Sequence, residues 1–313
     1  MVMPFYRMRV GKYEYLRIIG GENVSRIPVL FMPAYNRMYN AAVRYNWRTW
    51  LISAGFLYAR NRNISKSDVP KLPNGSILFI DSGAFQFVDG KYPFTPREYL
   101  NIVLTISSLS NASITIFATM DVLPSSVELR RAQRDTVVNT LQIMYEAEKN
   151  GIDLSRMPLV AVVHGDTYED FMEHYDMYRQ SGIRIRYLAM GNLRKDEPKD
   201  NGAPKFREAV LRACIELKKR GVKWVHLFGP RKGVLEHSVC CADSFDTTTF
   251  FQPLVRHGRV YVFHDGRSTY LFSPYRSVSL DRKIEITVYN FIQYTQHLAK
   301  LRSQCSGKNI DTK

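Results

Sequence analysis

Short apolar runs that stop abruptly at polar residues or glycine recur along the chain. They lie at Val29 to Met32, Ile77 to Ile80, Ile114 to Met120, Leu159 to Val163, Arg186 to Met190, Trp224 to Phe228 and Val260 to Phe263. Runs of this length and abruptness read as strands buried on both faces. The less apolar stretch Ala242 to Phe245 is an eighth candidate. Helical patterns separate most of these runs. In one, Phe206, Ala209, Val210, Ala213, Cys214 and Leu217 form a stripe at steps of three and four, backed by Lys205, Arg212, Lys218 and Lys219. Thr95-Pro96-Arg97-Glu98 supplies an N-cap, a first-turn proline and a capping-box glutamate. Asn150-Gly151 and Ser181-Gly182 supply helix-ending glycines. This alternation predicts an α/β fold, a (β/α)8 TIM barrel in one domain over residues 1 to 302, with a flexible tail from 303 to 313. A doubly wound open sheet is the alternative.

Length and composition agree with one large barrel. The 313 residues are 45% apolar and 23% charged, a balance that excludes a disordered chain or a disulfide scaffold. Lys and Arg number 44 against 29 Asp and Glu, giving a net charge of +15, so a polyanionic partner is expected. Arg130, Arg131 and Arg134 can share a helix face, and Lys218, Lys219, Arg231 and Lys232 bracket a strand; all seven are candidate nucleic-acid contacts. The four cysteines show no framework spacing and read as reduced thiols. With no membrane span or secretion pattern at the N-terminus, the expected location is cytoplasmic.

Barrel active sites form at the C-terminal ends of the strands. There the chain places Asp81-Ser82-Gly83-Ala84-Phe85-Gln86, then Asp121, His164-Gly165-Asp166, Gly191-Asn192, Gly229-Pro230 and Asp246. A lone aspartate after a strand is more often a helix cap than a catalyst, but repetition at the same end argues for a shared pocket. His226, inside an apolar run, reads as a hydrogen-bonded structural histidine.

The segment Asp81 to Gln86 resembles the Asp-Ser-Gly-Gly-Phe/Tyr-Gln hallmark of the tRNA-guanine transglycosylases and their DNA-modifying relatives, with Ala84 in place of one glycine. Asp121, His164-Gly165 where the family has Gln-Gly, Ala189-Met190-Gly191-Asn192-Leu193 and Ser244-Phe245-Asp246 follow in the family's order, over roughly residues 29 to 265. The resemblance implies exchange of guanine for a 7-deazaguanine such as preQ0, a pentosyl transfer. Asp246 would attack C1′ to form a covalent aspartyl-sugar intermediate, and Asp81 would be the general acid/base. Ser82, Phe85, Gln86, Asp121, His164, Gly165, Gly191 and Asn192 would bind the base, with Phe85 stacking on it and Asp121 accepting its N–H groups.

The family's zinc-binding cysteine pattern is missing, so neither metal nor cofactor is implied. An appended RNA-binding domain is missing too, which favours DNA over tRNA as the nucleic-acid partner. A minimal tRNA enzyme and a non-catalytic nucleic-acid-binding subunit are the alternatives, with a metal-dependent hydrolase behind them. A homodimer or a partner subunit is left open.

Overall fold

The computed structural model describes residues 29–34, 36–44, 46–87, 91–124, 127–193, 202–246, 260–264, 267–271 and 279–305. Eight parallel strands close into a barrel: β1 (Val29–Pro33), β2 (Thr49–Ser53), β3 (Ile77–Asp81), β4 (Ile114–Ala118), β5 (Leu159–Val163), β6 (Tyr187–Met190), β7 (Trp224–Leu227) and β8 (Ser244–Asp246). The register Leu30↔Phe245 joins β1 to β8 and closes the ring. The helices are α1 (Asn36–Arg44), α2 (Ala54–Arg60), α3 (Pro96–Ser110), α4 (Leu129–Lys149), α5 (Tyr168–Gln180), α6 (Gly202–Lys219), α7 (Lys232–Ser238) and α8 (Leu280–Cys305). Between β8 and α8 the chain forms a separate antiparallel pair, β9 (Val260–His264) and β10 (Arg267–Leu271). Among the described residues no helix is long and apolar enough to cross a membrane.

The closed barrel is the expected fold, but one predicted strand belongs elsewhere and one was missed. Val260 to Phe263 lies in the β9–β10 pair, outside the ring. The missing strand is Thr49–Ser53, whose Trp50, Leu51 and Ile52 are buried. Its three-residue apolar centre is short, and the basic and aromatic residues just before it, Arg44, Trp47 and Arg48, mask it.

Strand alternation builds two cores. Phe31, Phe79, Ile116, Val162 and Trp224 point into the barrel and pack together. Leu30, Leu78, Phe117, Val163 and Val225 point outward beneath the helices. The cap signals act as read: Thr95 and Glu98 form a capping box on α3, and Gly151 and Gly182 take left-handed conformations at φ 67 and 79 after α4 and α5.

Two other expectations change. Cys240 and Cys305 form a disulfide that ties the α7–β8 connection to the end of α8, because the fold brings their Cα atoms within 5.9 Å across 65 residues. Cys214 and Cys241 are the buried free thiols. The disulfide corrects the expectation that all four cysteines are reduced thiols. Ser303 to Cys305, assigned to the tail, continue α8, and residues 306–313 lie outside the described residues.

Candidate active site

Parity along the strands decides which side chains reach the barrel mouth. In β3 the inward positions Ile77 and Phe79 lead to Asp81. In β5, Val160 and Val162 lead to His164, and in β7 Trp224 leads to His226. Ser244 pairs with His226 across the β7–β8 register, and Asp246 is the next inward position of β8. Asp121 lies three residues past β4, on a loop fixed by Thr136 Oγ1, which accepts from Val122 N at 2.9 Å, and by Asn139 Nδ2, which donates to Met120 O at 2.8 Å.

Asp81 is pushed up to about 8. Burial at the mouth contributes most, followed by the negative fields of Asp121 and Asp246, while the Gly83 and Ser82 backbone N–H groups oppose the rise. The three carboxylates therefore share one electrostatic environment. Gly83 holds a left-handed turn at φ 83, where an added Cβ would meet Gly55 Cα at 2.7 Å, so this tight turn requires glycine.

Asp121 is buried and hydrogen-bonded on one oxygen: Ser82 Oγ donates to Oδ1 at 2.8 Å. The Tyr92 hydroxyl braces this pair from 2.9 Å to Ser82 Oγ and 2.7 Å to Asp121 O. His164 Nε2 lies 3.1 Å from Asp121 Oδ2, but out of line for a hydrogen bond, and neither ring nitrogen of this fully buried histidine has a hydrogen-bond partner among the described residues. Its backbone is held by His164 N donating to His174 Nδ1 at 2.9 Å and by Gln133 Nε2 donating to His164 O at 2.9 Å. Burial drives His174 well below the usual histidine range, which suits this acceptor role.

Gly191 leaves room for the His164 ring, since a Cβ there would fall 2.5 Å from His164 Cε1. Gly165 serves the backbone in the same way: its Cβ would sit 2.7 Å from Phe171 N, where α5 begins. Asn192 adopts φ 61, and its buried Nδ2 has no hydrogen-bond partner among the described residues. Phe85 and Gln86 stand on a short 3-10 helix (Ala84–Gln86), Phe85 with 52% of its surface exposed and Gln86 receiving Ser53 Oγ at 3.2 Å.

One residue read as purely structural belongs to this site. His226 Nε2 lies 3.2 Å from Asp246 Oδ1, which also accepts from Gly229 N at 2.9 Å. Phe31, Phe79, Trp224 and Phe228 surround the ring, and burial lowers its pKa against the opposing pull of Asp246. The signal was the alternation of Trp224, His226 and Phe228, which puts the histidine on the same inward face as the site. Among the described residues no three His, Cys, Asp or Glu side chains are disposed to hold a metal ion.

The basic residues do not form one surface. Lys218 and Lys219 end α6 at the N-terminal face of the barrel, whereas Arg130, Arg131, Arg134, Arg231 and Lys232 begin helices at the mouth. The 18 residues of α6 separate the two faces by about 27 Å along the helix axis. Lys218 is committed to Asp243 and Arg130 to Glu173, while Arg131 lies 3.6 Å from Asp135 and Lys232 3.8 Å from Glu236.

No protein-family model matches the chain, and no curated protein matches it. It is similar in fold to the solved structure of an oxaloacetate acetylhydrolase in complex with the product oxalate, at 11% identity over 92% of this chain and 98% of that one, with a TM-score of 0.43. It is likewise similar to a 2,3-dimethylmalate lyase, a PEP mutase/isocitrate lyase superfamily member, at 11% identity over 96% and 97% with a TM-score of 0.43. Both neighbours bear the names of other enzymes, so these comparisons give the transglycosylase resemblance no support. The guanine transglycosylase assignment, pentosyl transfer, 7-deazaguanine substrate and DNA or tRNA partner are withdrawn. A likeness at this level concerns the barrel and transfers no reaction to this chain.

Proposed function

We propose that the protein is an enzyme that moves protons on a small polar molecule bound at the mouth of the barrel. The observation that carries this reading is the meeting of Asp81, Asp121 and Asp246 from β3, the loop after β4 and β8 at one end of a closed ring. A carboxyl held near 8 exchanges its proton at neutral pH, as a general acid/base must. Asp81 is assigned that role. Asp246, aligned by the Gly229 N–H and by His226, is the second carboxylate, and two carboxylates in different surroundings divide acid from base.

Beside a protonated Asp81, the Asp121 and Asp246 carboxylates favour a neutral or cationic substrate rich in N–H or O–H donors over an anion. Asp121, braced by Ser82, is the acceptor that orients it. The buried Asn192 amide and the His164 ring nitrogens are polar groups still without hydrogen-bond partners among the described residues, and a bound substrate would satisfy them. Exposed Phe85 offers an apolar wall at the rim.

The test combines turnover with titration. A panel of small neutral and cationic compounds is incubated with the protein in D2O, and deuterium incorporation or bond cleavage is read by mass spectrometry. Asp81→Asn and Asp246→Asn are expected to lower the rate about 10²- to 10⁴-fold. Carbon-13 NMR of labelled aspartate should place the Asp81 titration near 8. Titration of Asp81 in the ordinary carboxylate range, or undiminished turnover by Asp81→Asn, overturns the proposal.

A further inference from the structure

At the opposite end of the barrel, a hollow of about 660 Å³ opens between the last turns of α5 and α6 and the starts of β6 and β7. Its walls carry Arg179, Arg184, Arg186, Arg220 and Lys223 around Tyr187. Among the described residues, Arg220 alone of these five is engaged by carboxylates. It donates to Asp176 at 2.9 and 3.2 Å and to Glu216 at 2.9 Å, and its guanidinium lies 5.9 Å from the Tyr175 ring centre. Arg179, Arg184, Arg186 and Lys223 are exposed and have no carboxylate partner among the described residues. Five cations against two carboxylates leave a concentrated positive field in a concave setting.

Capping of the helix ends does not account for these side chains. After α5, Gly182 N donates to Arg179 O and Ile183 N to Tyr178 O; after α6, Gly221 N donates to Lys218 O and Val222 N to Leu217 O. The glycine turns thus satisfy these last-turn carbonyls through the backbone. The approach to β6 alternates instead: Ile183 and Ile185 are buried while Arg184 and Arg186 face out on one side. Arg184 and Arg186 stand two residues apart just ahead of β6, with the chain bending at Arg186. Lys223 N donates to Arg186 O at 2.8 Å, so Lys223 and Arg186 stem from neighbouring backbone. Two guanidinium forks at this spacing, flanked by an ammonium, suit several linked phosphate groups better than a single anion.

We propose that this hollow binds a small molecule carrying two or more linked phosphate groups, at a site separate from the acid/base mouth and independent of the reading given to it. Calorimetric titration of the purified protein with tripolyphosphate, inorganic phosphate and a short DNA duplex at ~150 mM salt tests it. Saturable binding of tripolyphosphate is expected, at least about tenfold tighter than inorganic phosphate and weakened about tenfold or more in Arg184→Ala/Arg186→Ala. The Arg179→Ala/Lys223→Ala pair, on different elements, should weaken it likewise, so the test stands even if one double variant misfolds. Arg131→Ala/Arg134→Ala, at the other end of the barrel, should leave it unchanged. Absence of saturable tripolyphosphate binding overturns the proposal, as does binding indifferent to both hollow variants. A duplex that displaces tripolyphosphate and binds more tightly per phosphate also overturns it, because the ligand would then be a nucleic-acid backbone.

Discussion

His226 Nε2 lies 3.2 Å from Asp246 Oδ1 while its Nδ1 lies 2.8 Å from Ser244 Oγ, so one imidazole links adjacent inward positions of β8. If Nε2 carries the proton, it donates to the carboxylate and Nδ1 accepts from the serine hydroxyl. Burial lowers the histidine pKa and favours the neutral ring. Nitrogen-15 NMR at pH 6.5 should find this ring more than half neutral, with the proton on Nε2. A mainly doubly protonated ring at that pH would contradict the arrangement.

Asp81 makes stability fall as pH rises. Its folded pKa of about 8 exceeds that of an unfolded aspartate, near 3.9, so between those values the native state holds a proton that the unfolded chain has released. The cost grows from about pH 4 and levels off above about pH 8. Asp81→Asn, which cannot ionise, should match wild type near pH 4 and exceed its stability by a few kcal/mol, as an order-of-magnitude figure, at pH 8.5. Urea unfolding at the two pH values measures the gap, and a gap independent of pH would refute the assignment.

Gly191 tests the packing of His164. Gly191→Ala puts a methyl group 2.5 Å from His164 Cε1 and should cost about 1–3 kcal/mol while displacing the imidazole from Asp121. Thermal unfolding and the His164 NMR signals report the two effects. An unshifted His164 resonance would mean that the ring does not depend on this glycine.

Lys218 separates a structural cation from a surface one. Its ion pair with Asp243 sits where Asp243 Oδ2 also accepts from Val225 N at 2.7 Å. Lys218→Met strips the largely buried Asp243 of its ion-pair partner, leaving the Val225 N–H and the field of Arg302, and should destabilise by about 3 kcal/mol, whereas Lys219→Ala should change stability by less than about 0.5 kcal/mol. Equal effects in chemical denaturation would show that the ion pair contributes nothing.

The disulfide gives a direct thiol count. Unfolded without reductant, the chain should expose the two thiols of Cys214 and Cys241, and after reduction all four. Because the bridge spans 65 residues, loop-closure entropy sets its contribution at about 4 kcal/mol, and Cys305→Ser should lose a comparable amount. Four reactive thiols before reduction would disprove the bridge.

The barrel's rhythm, the caps at Thr95, Gly151 and Gly182, and the strand-end positions of Asp81, Asp121, His164 and Asp246 are legible along the chain, because they follow from local periodicity and backbone sterics. A local motif does not define a whole site: the segment from Asp81 to Gln86 resembles a transglycosylase hallmark, but the solved structures similar in fold lend that family no support and the reading is not carried further. Other features arise only when the ring closes. Ring closure required Thr49–Ser53 and left Val260–His264 outside; strand parity brought His226 to Asp246; and folding brought Cys240 to Cys305. It also sent the basic clusters to opposite faces, because a helix that begins at the barrel mouth ends at the other side. Such relationships depend on distances across the sheet, and spacing along a chain does not encode them until the ring has closed.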